Sequence, residues 1–460
     1  MEKYREVWIF RSLRAVVGWI AGSAWRYFTL IFLLSLAIRH HQLNQVSGRF
    51  LVPTGDRELG AIAISLMKTG EFADPYLIPT GPTAHLPPIP PLKDSLIYRA
   101  LGLTYRAGYV RAISIIVTTS VLYGMLPWFS ERLGTGRRAG VIAGLAGAIS
   151  GLVSDIWDML PGHGEYLTGL IMGLVLLAFL RRWKEQSGGW RGSLLLGLAI
   201  GAAFHVQPAL LPVVLGCMLF ELWWVQNPRK WALVGMIALG ILFACLPWGW
   251  RNYRTFNAVF FIRSNLGGEL RLAYNDATAA TFEKMDAMGA QFIHPGAVVS
   301  EARKLIELGE IEYMNQAGGE ALAWISARPA ESLRLTAQRF ANLWAGPQHK
   351  PVEDSLDVLA LTVLAIVGAW RSFPRITIPQ RAAFLTPLVT YPLIYYIVAY
   401  MPRYRIPIDW ILYILAGVAI WQGIGGSLSI IDAGKASYGN QTTPMKLIVP
   451  IVISDVCVEA

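Results

Sequence analysis

Charge is what this chain has little of. Asp, Glu, Lys and Arg make up 15% of its 460 residues, against about 25% in ordinary soluble domains. Hydrophobic residues reach 54% and mean hydropathy is +0.44, which excludes a soluble enzyme of the usual kind. Cysteine is nearly absent. Cys217 and Cys245 fall inside apolar runs and Cys457 near the end, so neither a disulfide framework nor a zinc spacing is present. No internal repeat is visible. No cleavable signal peptide is evident either: the first apolar run, 16–37, lacks a small-residue cleavage site and reads as a retained anchor. The net charge of +10 raises the question of nucleic acid. The basic residues sit between apolar runs rather than on one face, so no nucleic-acid partner is expected.

What the chain has instead is a series of apolar runs suited to roughly 30 Å of hydrocarbon. They fall near 17–38, 108–129, 139–155, 165–181, 193–206, 209–225, 231–248, 356–370, 383–400 and 408–425. The predicted fold class is an all-α polytopic membrane protein with about ten transmembrane helices and helical extracytoplasmic loops. Lys3, Arg5, Arg11 and Arg14 precede the first run, and Arg132, Arg137 and Arg138 fill the second loop. Arg181, Arg182, Lys184 and Arg191 fill the fourth, followed by Arg229 and Lys230, then Arg371, Arg375 and Arg381. These are alternate loops, so the positive-inside rule places them, and both termini, in the cytoplasm. The expected parts are an N-terminal membrane module (1–248), an extracytoplasmic helical segment (249–355), C-terminal membrane helices (356–425) and a cytoplasmic tail (426–460).

The opposite side receives a long first loop (39–107), the loop 154–164, the large segment and the link 401–407. Apolar residues at 59, 62, 63, 66 and 67 make one helical stripe closed by Gly70, predicting an amphipathic helix on the outer membrane surface. The prolines of 80–91 predict a stiff extended stretch that cannot be helical. Periodicity over 301–344, broken at Arg328-Pro329, predicts two or three packed helices. Gly140/Gly144, Gly147/Gly151 and Gly197/Gly201 read as close helix packing.

Four polar groups would meet at this boundary. Asp56 and Glu58, flanking Arg57, could act as a general base or ligate a divalent cation, or simply cap the helix. Asp155, Asp158, His163 and Glu165 gather in the next loop, with Glu165 at a helix start where its charge also favours the dipole. The third group is 247–253, with Arg251 and Asn252, and the fourth is Arg403-Tyr404-Arg405. Arginine beside aromatic rings can be plain interfacial anchoring or a phosphate clamp. His85 and His205 read first as structural, with His85 a secondary candidate.

These residues, in this order, resemble the GT-C superfamily of polytopic glycosyltransferases that use polyprenyl-phosphate sugars. The nearest resemblance is to bacterial aminoarabinose transferases and protein mannosyltransferases. It rests on acidic residues ahead of Ile62-Ala63-x-Ser65-Leu66, then Gly70-Glu71-Phe72 and Gly81-Pro82-Thr83-Ala84-x-x-Pro87-Pro88-x-x-Pro91. It continues through Pro247-Trp248-x-x-Arg251-Asn252-Tyr253, Ser264-Asn265-x-Gly267 and Arg403-Tyr404-x-x-Pro407. The resemblance implies an inner-membrane enzyme with an extracytoplasmic site. It would move a hexose or pentose, with inversion, from a polyprenyl-phosphate donor to a lipid, glycan or protein acceptor. Asp56 or Glu58 would be the base, Glu165 the second acidic residue with Asp155 or Asp158 as rivals, and Arg251, Arg403, Arg405 and Tyr404 the phosphate site. A divalent cation held by Asp56, Glu58 and Glu165 is the one cofactor implied. Relatives carry adjacent Asp-Glu where Arg57 intervenes here, which leaves the base open between Asp56 and Glu58. Two rival readings are a transporter or flippase, and a scaffold that keeps the fold without the chemistry. The near absence of charge in the spans and of a repeated half speaks against transport.

Overall fold

The computed structural model describes residues 2–55, 58–150, 164–289, 293–347 and 355–438. Among them every regular element is helical, and pairing of extended backbone is limited to isolated bridges, Ala73 with Pro82 and Thr281 with Tyr400. A helix satisfies its own backbone, which is what hydrocarbon demands. Five helices are long and apolar enough to cross a membrane: Tyr105–Arg132, Glu165–Glu185, Lys230–Phe256, Leu356–Arg375 and Pro402–Gly425. A sixth is counted if Phe10–Ala21 and Ala24–Gln45 are one span, although they meet at 108°. The protein is thus an all-helical integral membrane protein with five or six such helices among the described residues.

Most of the other predicted runs are present as shorter helices. Arg137–Ile149 and Ile378–Thr390 have 13 residues each, and Trp190–Phe204 has 15, where a straight crossing needs about 20. The run 383–400 stops being α-helical at Thr390, and Tyr391–Tyr396 continues as a tighter 3-10 turn around Pro392. The run 17–38 breaks at Gly22-Ser23, where Ser23 is extended. The last helix, Ile406–Tyr438, carries the chain beyond 425.

Small residues let these helices approach. A Cβ on Gly140 would lie 2.5 Å from Pro127 Cα, and one on Gly144 would lie 2.8 Å from the Tyr123 carbonyl oxygen. Gly197 faces the Ile237 carbonyl and Gly240 in the same way, while Gly151 lies outside the described residues. Buried charged groups such as Arg39 and Arg182 find partners within the protein. Arg39 donates to the Ala148 and Gly147 carbonyls at 2.9 and 3.0 Å, and Arg182 pairs with Glu221, inside the predicted run 209–225.

The loops differ from expectation in two places. The Glu58–Thr69 helix exists, closed by Gly70 at φ +77, but its stripe is covered by protein rather than lipid. Leu59, Ile62 and Leu66 pack with Phe72, Leu86 and Trp248. The proline stretch is not wholly extended either: a helix, Ile89–Leu101, begins inside it with Pro90 and Pro91 in its first turn. Helix-starting amides have no intrahelical acceptor, so proline loses nothing there. The Ile89 amide instead donates to the His205 carbonyl at 3.1 Å. The large segment holds Val299–Leu308, Glu310–Ala327 and Pro329–Ala345, broken at Arg328-Pro329 as the sequence predicts.

Gly197→Ala is expected to lower the thermal midpoint of the detergent-purified protein, with a cost of about 1–3 kcal/mol for overpacking. Gly235→Ala, on the partner helix with nothing within 4 Å of the new methyl, should leave it unchanged or raise it.

Candidate functional site

Glu58 begins its helix with a half-buried carboxylate aimed at imidazoles. Its Oε1 lies 3.3 Å from His85 Nε2 and 3.5 Å from His294 Nε2. Tyr76 completes the group, its hydroxyl 2.9 Å from His85 Nδ1, and the rings of Tyr76, His85 and His294 meet edge to face. The two histidines differ electrically. Burial works against a charged His85, yet the charge and hydrogen bond of Glu58 outweigh it, so its pKa is raised. Burial wins at His294, which is held below the ordinary histidine value despite Glu58 and with His85 adding to the depression. The Tyr76 hydroxyl is pushed well up by burial and by the charges of Glu58 and Glu310. Glu58 therefore faces one imidazole that favours its proton and one that favours neutrality.

A second carboxylate holds this arrangement still. Glu310, 5% exposed, accepts from Thr83 Oγ1 and Ser264 Oγ at 2.5 Å each and from the Ala84 amide at 2.7 Å. Thr83 Oγ1 also accepts from the His85 amide at 3.0 Å, and Arg263 Nε donates to the His85 carbonyl at 2.8 Å. Arg251 donates to the Thr83 and Phe72 carbonyls at 2.8 and 3.0 Å and to Asn252 Oδ1 at 3.1 Å. Its guanidinium lies against Phe72, Trp248 and Phe256. The motif residues around 72–85 and 247–253 thus meet in space because Arg251 stitches them together.

Glu165 starts the Glu165–Glu185 helix and is buried, with Arg403 Nε 3.8 Å from its carboxylate. Arg403 lies over the Tyr404 ring, and that ring stacks on Tyr395 with centroids 4.4 Å apart. Glu165 lines a cavity of about 110 Å³ together with Leu59, Lys93 and Asp94, so the first turn of the Glu58 helix and Glu165 border the same space. Arg405 is turned inward. It donates to Asp409 at 2.6 Å and to the Leu343 and Val358 carbonyls at 3.3 and 3.2 Å.

Of the predicted residues, Glu58 and His85 are brought together, as are Glu165, Arg403 and Tyr404. Arg251 and Arg405 have donors engaged within the protein, and Asn252 Oδ1 accepts from Arg251. Asp56, Asp155, Asp158 and His163 lie outside the described residues. Among the described residues no group of three or more His, Cys, Asp or Glu side chains is arranged to hold a cation. Sequence reasoning missed His294, Arg263 and Glu310. Glu310 follows Gly309 at a helix start, where a glutamate needs no further explanation. The sequence signal for Glu310 is Ser264 in the 264–267 motif, whose hydroxyl donates to it.

The His85–Glu58 contact should stabilise the protein below the unfolded histidine value of about 6.5. Because the folded pKa is raised, that stabilisation should fade as pH rises through it. The thermal midpoint of wild type minus that of His85→Gln, measured from acidic to alkaline pH, should be largest at the acidic end.

No protein-family model matches the chain, and no curated protein matches it. Solved structures do. One is archaeal oligosaccharyltransferase AglB from Archaeoglobus fulgidus, in complex with an inhibitory peptide and a dolichol-phosphate. It has 15% identity and a TM-score of 0.51 over 92% of this chain and 53% of that one. Another is the Archaeoglobus fulgidus oligosaccharyltransferase complex with Zn and sulfate, at 15% identity and TM-score 0.48, over 89% and 51%. This chain spans about half the length of those proteins. Over 92% of its length this chain therefore shares the fold of archaeal oligosaccharyltransferase AglB.

Proposed function

We propose that this protein is a membrane glycosyltransferase that moves a sugar from a polyprenyl-phosphate donor to an acceptor hydroxyl, with inversion, at the extracytoplasmic face. The observation that carries the reading is the Glu58 carboxylate, set between His85 and His294 on the helix whose Leu59 lines the same cavity as Glu165, on a fold shared with AglB. The lipid phosphate bound to AglB supports a lipid-phosphate donor here, and its peptide supports a protein among the possible acceptors. The shorter helices would bring the crossings toward ten in a locally thin bilayer, with both termini cytoplasmic and a bacterial inner membrane as the setting.

In the proposed step the acceptor oxygen attacks the anomeric carbon while the bond from that carbon to the phosphate oxygen breaks on the opposite face. The hydroxyl proton passes to the Glu58 carboxylate. His85 orients that carboxylate, and neutral His294 is placed to relay the proton onward. Arg403 meets the charge that develops on the leaving phosphate. Tyr404 and Tyr395 form the wall against which the guanidinium lies. Arg251 and Arg405 act as positioning residues, the first for the loop carrying His85 and the second for the start of the last helix. Glu58 is taken here as the base, with Asp56 and Glu165 as the residues that would replace it. Glu58 and Glu165 face histidine and arginine rather than each other, and the proton transfer proposed needs these side chains alone.

Transfer from a panel of radiolabelled polyprenyl-phosphate sugars in membranes tests this. Wild type should transfer one of them, and Glu58→Gln should abolish transfer while inserting normally. Arg403→Ala should lose about a hundredfold or more, the usual result of removing a charge-stabilising donor. Normal transfer by Glu58→Gln would overturn the assignment of the base.

A further inference from the structure

The Tyr105–Arg132 helix starts on the loop side of the candidate site and ends about 42 Å away, at 1.5 Å per residue over its 28 residues. At that far end lies an open groove of about 470 Å³ between the Glu2–Ala21 helix, the turn 131–139 and the last helix. Two arginines converge there on one ring. Arg14 from the first helix and Arg138 from the start of the Arg137–Ile149 helix lie 5.0 and 5.4 Å from the Trp421 indole. Among the described residues neither guanidinium has a hydrogen-bond or carboxylate partner. Among the described residues lining the groove the acidic side chain is Glu131, already taken up by Arg137, which donates to it at 2.9 and 2.8 Å. Two cations sharing an indole repel each other unless an anion sits between them.

The surroundings say which anion. The Glu2–Ala21 helix turns away from the next at 108°, and Arg26 secures the elbow by donating to the Trp19 carbonyl at 2.7 Å. Beside the elbow Trp8, Trp19 and Trp25 are 70%, 59% and 74% exposed. Exposed tryptophans on both sides of such an elbow mark the headgroup level of a bilayer. The groove therefore opens among lipid headgroups, and among the described residues its unmatched charge is positive.

We propose that this groove binds the headgroup of an anionic glycerophospholipid, with Arg14 and Arg138 on its phosphate and Trp421 beneath. The site is independent of the glycosyltransferase reading. Basic pockets between membrane helices are suited to such headgroups, whose phosphate accepts from guanidinium in a bidentate manner.

The test is native mass spectrometry of the detergent-purified full chain titrated with phosphatidylglycerol, phosphatidylcholine or inorganic phosphate. Wild type should retain phosphatidylglycerol in preference to phosphatidylcholine. Arg14→Gln/Arg138→Gln should weaken that retention about thirtyfold, as expected for two basic contacts to an anionic headgroup. Should the double variant fail to fold, Arg138→Gln alone, at an exposed position, should weaken it about fivefold. Equal retention of the two lipids by wild type, or of phosphatidylglycerol by wild type and variant, would overturn the proposal. So would displacement of the lipid by millimolar inorganic phosphate, which would mark a free-anion site.

Discussion

A carboxylate withdrawn from water is costly unless donors replace its hydration, and Glu310 is such a group. Its donors come from two distant parts of the chain: Thr83 and Ala84 in the first long loop, and Ser264 after the Lys230–Phe256 helix. Removing the carboxylate would leave those donors without their acceptor. Keeping it fixes the backbone at 83–85, and with it the direction in which His85 points. The contact between Glu58 and His85 depends on this, as does the narrow space shared by Tyr76, His85 and His294. The glycine at 267 follows from the same closeness, since a Cβ there would overlap the Met314 carbonyl on the helix that Glu310 begins.

Much of this was legible in sequence. The stripe 59–67, the stop at Gly70 and the break at Arg328-Pro329 all produce the elements they predict, because each is a local backbone preference. The motifs around 81–91, 247–253 and 264–267 are neighbours in space, and the predicted all-helical membrane architecture is observed, with five or six rather than ten helices long enough to cross. What could not be read was which surface a stripe would meet. Apolar residues on one face of a helix do not distinguish Trp248 and Phe72 from a lipid tail. Nor could chain order reveal that Glu310 and His294, far along the sequence, would reach the first loop.

The arginines separate in an instructive way. Arg251, Arg403 and Arg405 look equivalent in sequence, each beside aromatic residues at the end of an apolar run. In the fold, Arg251 and Arg405 direct donors to backbone carbonyls that lie beyond the reach of helix ladders, a role for which the planar fork of guanidinium is well suited. Arg403 instead lies near a buried carboxylate and over a tyrosine. Residue type and neighbourhood alone identify a cation at a boundary. The unsatisfied acceptors around it decide whether it builds the protein or binds something else.

The Trp190–Phe204 helix has a consequence for the lipid around it. Its 15 residues extend about 22 Å, well short of a hydrocarbon core of roughly 30 Å. Leu195 remains exposed on its flank, and the His205 carbonyl at its end anchors the helix that begins at Ile89. In the proposed arrangement where this helix is a crossing, a short apolar helix that cannot tilt to gain length would draw the headgroups inward and thin the bilayer beside it. The dip would fall next to the cavity shared by Ile89, Val206 and Glu165. A phosphate carried on a long hydrocarbon tail would then meet the protein at the cavity's own depth, lowered there by the membrane's deformation rather than lifted by a moving part of the protein.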